Sequence, residues 1–206
     1  MFDAHCHLPN NKRKAIICTS KSEEYDQAIL NEASIGLLPP FCEADKILFF
    51  GVLEQNPTLN IGEVGLDKRY PNMSEQIAFL KEALQIAKKS NRLVSLHLVQ
   101  ATQTALTLIE EYAPLKLIWH GFCGSFETAK RFNQLGGLIS LGHRSVKSKD
   151  FERLLTLDFL LESDLPQGEE QRTALKALYQ ESAKIKHITF EQLEAEIDYR
   201  WSIYKA

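Results

Sequence analysis

Eight short segments rich in Ile, Val, Leu and Phe, separated by longer stretches of helical spacing, constrain this 206-residue chain more than any other feature. They fall at 2–7, 15–19, 34–38, 60–65, 93–97, 116–121, 137–141 and 157–164. Each is nearly continuously apolar, as strands buried on both faces are. Strands that alternate with helices run parallel and are joined by right-handed crossovers. Eight such strands close a barrel. The expected fold is therefore α/β, a compact TIM (β/α)8 barrel. Between the strands the spacing predicts helices at 73–90, with Ile77, Leu80, Leu84 and Ala87 on one stripe, and at 102–112, 126–135 and 149–155. Two more are expected after the eighth strand, at 169–184 and 189–204. The second of these starts at a Thr189 N-cap with Gln192 in the capping-box position.

A barrel of this type has about 250 residues, so this one is small. The shortage is located at 8–14, a link too short for a helix, although seven extended residues reach about 23 Å and return the chain to the bottom of the barrel. The first outer helix is therefore expected to be missing, which leaves the outer face of 15–19 short of a cover. Two covers are available. One is the terminal helix, whose Phe190, Leu193, Ile197 and Trp201 share a stripe; the other is the same face of a second copy. The internal cover is favoured, so a monomer or a homodimer is expected. No repeat, low-complexity segment or composition break interrupts the chain, and residues 1–206 are read as one domain.

Composition removes several classes. A net charge of −3, with 44% hydrophobic and 25% charged residues, suits a soluble protein with a core and excludes disorder, collagen and coiled coil. The longest apolar run, 47–53, is bracketed by Lys46 and Glu54, far short of the roughly 20 residues that cross a bilayer, so no membrane contact is expected. Asp3 and His5 stand where a secretion signal would be basic and then apolar, so a cytoplasmic location is expected. Cys6, Cys18, Cys42 and Cys123 spell no Cys-x-x-Cys pair and are expected to be free and mostly buried.

Four of the six histidines stand at the carboxyl ends of predicted strands, where barrel enzymes place their sites. In Asp3-Ala4-His5-Cys6-His7 the alternation of strand side chains turns both imidazoles one way and Cys6 the other. Glu63 ends the fourth strand, His97 the fifth, His120 the sixth and Asp164 the eighth. A lone strand histidine is more often a hydrogen-bonded core residue, but six nitrogen and carboxylate donors in strand-end register point to metal. With Glu63 as a bridging carboxylate, His5, His7 and Asp164 complete one metal and His97 and His120 the second. Two cations about 3.5–4 Å apart then hold a hydroxide between them. Imidazole with carboxylate suits zinc, manganese or iron, and leaves magnesium open at the less nitrogen-rich position.

The runs Asp-Ala-His-Cys-His-Leu at 3–8, Ile-Gly-Glu-Val-Gly-Leu-Asp at 61–67, Ser-Leu-His-Leu at 95–98, His-Gly-Phe-Cys-Gly-Ser at 120–125 and Leu-Glu-Ser-Asp-Leu-Pro at 161–166 resemble the successive signatures of TatD-family metal-dependent hydrolases, within the amidohydrolase superfamily. The resemblance spans residues 2–166, and Glu63 stands where several other amidohydrolases carry a modified lysine. It implies two divalent metals (Zn, Mn or Mg) and hydrolysis of phosphoester bonds, often as a 3′-directed deoxyribonuclease acting on a single-stranded DNA end. By that resemblance Asp164 both binds metal and moves the proton, Glu63 bridges, and Glu162 stands behind the ligands.

The departures lie on the substrate side. The family's arginine after the fifth-strand histidine is Val99 here, the stretch after the third strand reads Gly36-Leu37-Leu38-Pro39-Pro40, and the proline-rich loop after the last motif shrinks to Gln167-Gly168-Glu169. The family's carboxyl-terminal pattern is not clear in 199–204. Replacement cations are Lys12, Arg13 and Lys14 after the first strand, Lys68 and Arg69 after the fourth, and Arg144, Lys147 and Lys149 after the seventh; Lys68, Arg69 and Arg144 are the candidate substrate residues, with His143 a further one. Two other readings stay open: the same metal pair acting on a different ester, lactone or amide, and a metal-binding paralogue without turnover.

Overall fold

The computed structural model describes residues 1–9 and 14–205. Its strands are β1 (Asp3–Cys6), β2 (Ala15–Ile17), β3 (Ile61–Asp67), β4 (Leu93–Val99), β5 (Lys116–Trp119), β6 (Leu138–Leu141) and β7 (Phe159–Leu161). Its helices are α1 (Tyr25–Leu30), α2 (Glu43–Gln55), α3 (Met73–Ser90), α4 (Thr102–Tyr112), α5 (Phe126–Gln134), α6 (Phe151–Leu154), α7 (Glu169–Ile185) and α8 (Phe190–Lys205). Seven of the eight expected strands are present. The segment at 34–38 is reduced to single parallel bridges, Ser34 to Cys18 and Ile35 to Ile61. Pro39 and Pro40 follow it without N–H donors and give the ladder nothing to extend into. The expected gap before β2 falls largely on residues 10–13, outside the described residues, as do the candidate cations Lys12 and Arg13.

The chain forms two compact units, Met1–Ile17 with Trp119–Ala206, and Cys18–Ile118. In the first unit β1 pairs in parallel with β2 and β6 with β7. The segment after β7 runs beside β1: the Asp164 N–H donates to the His5 carbonyl at 3.0 Å, the His7 N–H to Leu165 at 3.0 Å and the Gln167 N–H to His7 at 3.2 Å. This seam joins the earliest residues of the chain to a segment far along it. Helix α8 packs its expected stripe against the start of the chain and α7. Leu193 and Ile197 are fully buried, Trp201 stacks on Phe2 at 4.8 Å between ring centroids, Phe190 meets Tyr179, and the Lys14 ammonium donates to Asp198 at 2.9 Å. Its start is the expected capping box, with Gln192 N–H on the Thr189 hydroxyl at 3.1 Å and Thr189 N–H on the Gln192 side chain at 2.8 Å.

In the second unit β3 and β4 are parallel, Gly65 opposite His97 and Asp67 opposite Val99, with β5 on the other side of β4. Two glycines permit unusually close backbones there. A Cβ on Gly65 would lie 1.7 Å from the His97 carbonyl oxygen, and one on Gly36 would lie 1.9 Å from the Glu63 nitrogen. Helix α3 buries Phe79, Leu80, Ala83, Leu84 and Ala87, with Ile77 at the edge of the stripe and not on it. Helices α1 and α2 were not expected. The apolar run at 47–53 lies in α2, where Phe49 and Leu53 are buried while Ile47 and Leu48 are exposed, so the run hides the helical period. No helix among the described residues is long and apolar enough to cross a membrane. The four cysteines form no disulfide; Cys6 and Cys18 are buried, but Cys42 at the start of α2 and Cys123 in the turn before α5 are exposed, which corrects the expectation of mostly buried thiols.

Candidate metal centre

The first unit gathers His5, His7, His120 and Asp164. Alternation along β1 works as expected: Cys6 turns away toward the Ile16 carbonyl and the Gln167 amide, while the His5 and His7 rings meet edge-on at 5.2 Å. Burial, followed by the charge of Asp3, pushes the Cys6 thiol up to about 12, so it is a packing residue and not a thiolate. His120, in the turn after β5, stacks on His5 with centroids 4.0 Å apart and planes 20° from parallel. Asp164 follows β7 in the left-handed region, at φ 56°. One ligand atom from each of His5, His120 and Asp164 lies within 4.8 Å of the others, and Asp164 Oδ1 is 3.3 Å from His7 Nε2.

Glu162 accepts the Gly121 N–H at 2.6 Å and lies 3.5 Å from His120 Nδ1. In front, the exposed Arg144 guanidinium donates to Asp164 Oδ2 at 2.7 Å. Arg144, His143, Ser163 and Asp164 line an open cleft of about 390 Å³.

The second unit holds the other two expected ligands together. His97 Nδ1 is 2.6 Å from Glu63 Oε1, and its Nε2 is 3.4 Å from Asp67 Oδ2. Arg69 grips Asp67 through its backbone N–H, Nε and a terminal guanidinium nitrogen. Burial pushes the Asp67 carboxyl up, yet the Arg69 and His97 hydrogen bonds together hold it below the ordinary carboxylate range. Lys68 is exposed beside them.

Sequence reasoning missed three residues. Asp67 was quoted in its motif without a role, Asp3 likewise, and Gln171 gave no signal. Asp3 is buried against Ser163, Gln171 and the His5 backbone; burial pushes its carboxyl up, against the hydrogen bonds of Ser163, Gln171 and His5.

Two imidazoles and a carboxylate within one small sphere in the first unit fit a divalent cation with nitrogen preference. Parallel strands alternating with helices, with such donors at strand ends, define the class of metal-dependent α/β hydrolases. The comparisons give the family. The model of the TatD related DNases matches residues 33–198. An uncharacterized metal-dependent hydrolase of Haemophilus influenzae is 31% identical over 192 residues, covering 76% of this chain and 73% of its own. The uncharacterized metal-dependent hydrolase YjjV of Escherichia coli K12 is 35% identical over 149 residues, which cover 65% of this chain and 58% of that protein. The crystal structure of YjjV, a TatD homologue, superposes with a TM-score of 0.81 over 97% of this chain and 95% of that one, at 20% identity, which shows the TIM-barrel fold. The chain belongs to the TatD family of metal-dependent hydrolases.

Proposed function

We propose that the chain hydrolyses phosphoester bonds as a deoxyribonuclease acting on a single-stranded DNA end, as one barrel domain with two divalent cations, zinc, manganese or magnesium. The observation that carries this reading is the His5, His120 and Asp164 cluster within 4.8 Å, in a chain of the TatD family. His5, His7 and Asp164 would hold one cation, His97 and His120 the other, with Glu63 between them. When bound, such cations polarise the phosphoryl group and lower the pKa of water. The chain's own residues do the rest. The Asp164 carboxylate, already a hydrogen-bond acceptor, takes the proton from the attacking water and returns one to the leaving oxygen. Glu162, itself held by the Gly121 N–H and 3.5 Å from His120 Nδ1, would orient the His120 ring. Arg144, and Arg69 with Lys68, supply positive charge to the phosphate in place of the arginine replaced by Val99.

A second reading has its own observation. Arg144 and Arg69 are each engaged with a carboxylate, Asp164 and Asp67, and so compete for phosphate with their own partners. This favours a different ester, a lactone or an amide on the same metals. Metal analysis of the purified protein, then a panel of single-stranded DNA, small phosphodiesters, lactones and amides with and without chelator, separates the readings. Chelator-sensitive release of nucleotides from DNA ends is expected. Turnover of lactones or amides alone establishes the second reading, and bound metal without turnover of any member leaves a non-catalytic paralogue.

A further inference from the structure

Asp3 is 1% exposed, and the chemistry above gives it no work. Its carboxylate nevertheless accepts four hydrogen bonds. Oδ1 takes the His5 N–H at 3.2 Å and the Ser163 N–H at 3.0 Å. Oδ2 takes the Ser163 hydroxyl at 2.6 Å and the Gln171 side-chain amide at 2.7 Å. The donors are the backbone of one candidate ligand, both polar groups of the residue immediately before another, and a side chain of the 17-residue helix α7. A buried carboxylate engaged this completely fixes the groups around it.

What it fixes is strained. Asp164 sits at φ 56°, a conformation that a non-glycine residue keeps only where its surroundings over-determine it. Ser163 is the preceding link, held at N–H and hydroxyl together. Gln171 points the same way from the other side. Its amide nitrogen is spent on Asp3, while its buried Oε1 has no hydrogen-bond partner among the described residues. A glutamine chosen for core stability alone would satisfy both ends, since an orphaned buried acceptor is costly.

We propose that Asp3 and Gln171 are positioning residues of the metal centre: the Asp3 carboxylate, steadied by Gln171, clamps Ser163 and thereby sets where the Asp164 carboxylate stands relative to His5 and His120. The proposal rests on the reading that His5, His120 and Asp164 hold a cation. Asp3 touches neither cation nor substrate, so its effect passes through Ser163 and the Asp164 backbone.

The test uses the full chain, freed of metal and titrated with Co2+, following affinity by calorimetry and ligand geometry by visible absorption, with the melting temperature of the metal-free protein measured beside them. Asp3→Asn keeps shape and leaves Gln171 free to turn its oxygen toward the new amide, but it removes the acceptor for the Ser163 hydroxyl. Asp3→Asn, Ser163→Ala and Gln171→Met are each expected to weaken Co2+ binding by about 10- to 100-fold and to alter its visible spectrum. Asn133→Ala, which cuts hydrogen bonds to the Gly137 and Asp158 carbonyls away from this network, is expected to lower the melting temperature with Co2+ affinity within about twofold of the parent. If Asp3→Asn does not fold, Ser163→Ala and Gln171→Met decide. Folded variants that bind Co2+ within twofold of the parent, with an unchanged spectrum, overturn the clamp while leaving the metal centre standing. A parent chain that binds no Co2+ overturns both.

Discussion

A single carboxylate, Asp164, has the Arg144 guanidinium 2.7 Å from one oxygen and the His7 ring 3.3 Å from the other. Replacing it by asparagine keeps the size and one oxygen, turns an amide toward Arg144 or His7, and removes the proton acceptor. Asp164→Asn is therefore expected to lower kcat by about 10²- to 10⁴-fold with a much smaller change in KM, read from steady-state kinetics on the substrate found in the panel. Turnover equal to the parent would show that the proton travels elsewhere. Arg144→Ala and Arg69→Ala belong to the other side of the reaction: each is expected to raise KM for phosphate-bearing substrates and to flatten its dependence on salt, since each removes one cation that screening weakens. Residues of this kind were legible because strand alternation is local: His5, Cys6 and His7 could be assigned to opposite faces from five consecutive letters. Asp3 was not legible as a clamp, because its main partner, Ser163, lies 160 residues away and only the folded chain brings them together.

The elements show the same division between local and distant information. Helix α8 could be read in full, down to Thr189 and Gln192 at its start, because its cap and its stripe lie within sixteen residues. Helix α2 could not, because seven consecutive apolar residues leave no polar face by which to recognise the period. The segment at 34–38 looked like a full strand from its apolar letters, while the two prolines after it decided how little ladder it would form. Since Leu193 is fully buried in α8, Leu193→Ala is expected to destabilise the protein by about 2–5 kcal/mol, measured by denaturant unfolding. Removing residues 189–206 strips the cover from Phe2 and should give an aggregating protein; a truncated chain that stays soluble, monomeric and equally stable would show that the cover is dispensable.

At the scale of the whole molecule, a cation bound only by the native state adds its binding free energy to stability. Chelation is accordingly expected to lower the melting temperature, and graded Zn2+ to raise it again in a concentration-dependent way; a melting temperature indifferent to metal would mean that the donors are organised without one. The seam between β1 and the segment after β7 also bears on how the protein is made. Residues 18–118 form a unit from one uninterrupted stretch, whereas Met1–Ile17 belong with residues from Trp119 onward. His7 is translated 157 residues before the Asp164 it meets. At synthesis rates of about 5–20 residues per second, that interval is roughly 8–30 s. Throughout it, the His5 imidazole and the Cys6 thiol, both fully buried in the finished protein, and the half-buried His7 ring belong to a nascent chain that still lacks their later partners. A cation held by His5 and Asp164 together could load only after the ribosome has delivered the far edge of the seam, which would make metal acquisition a late event in the life of each molecule.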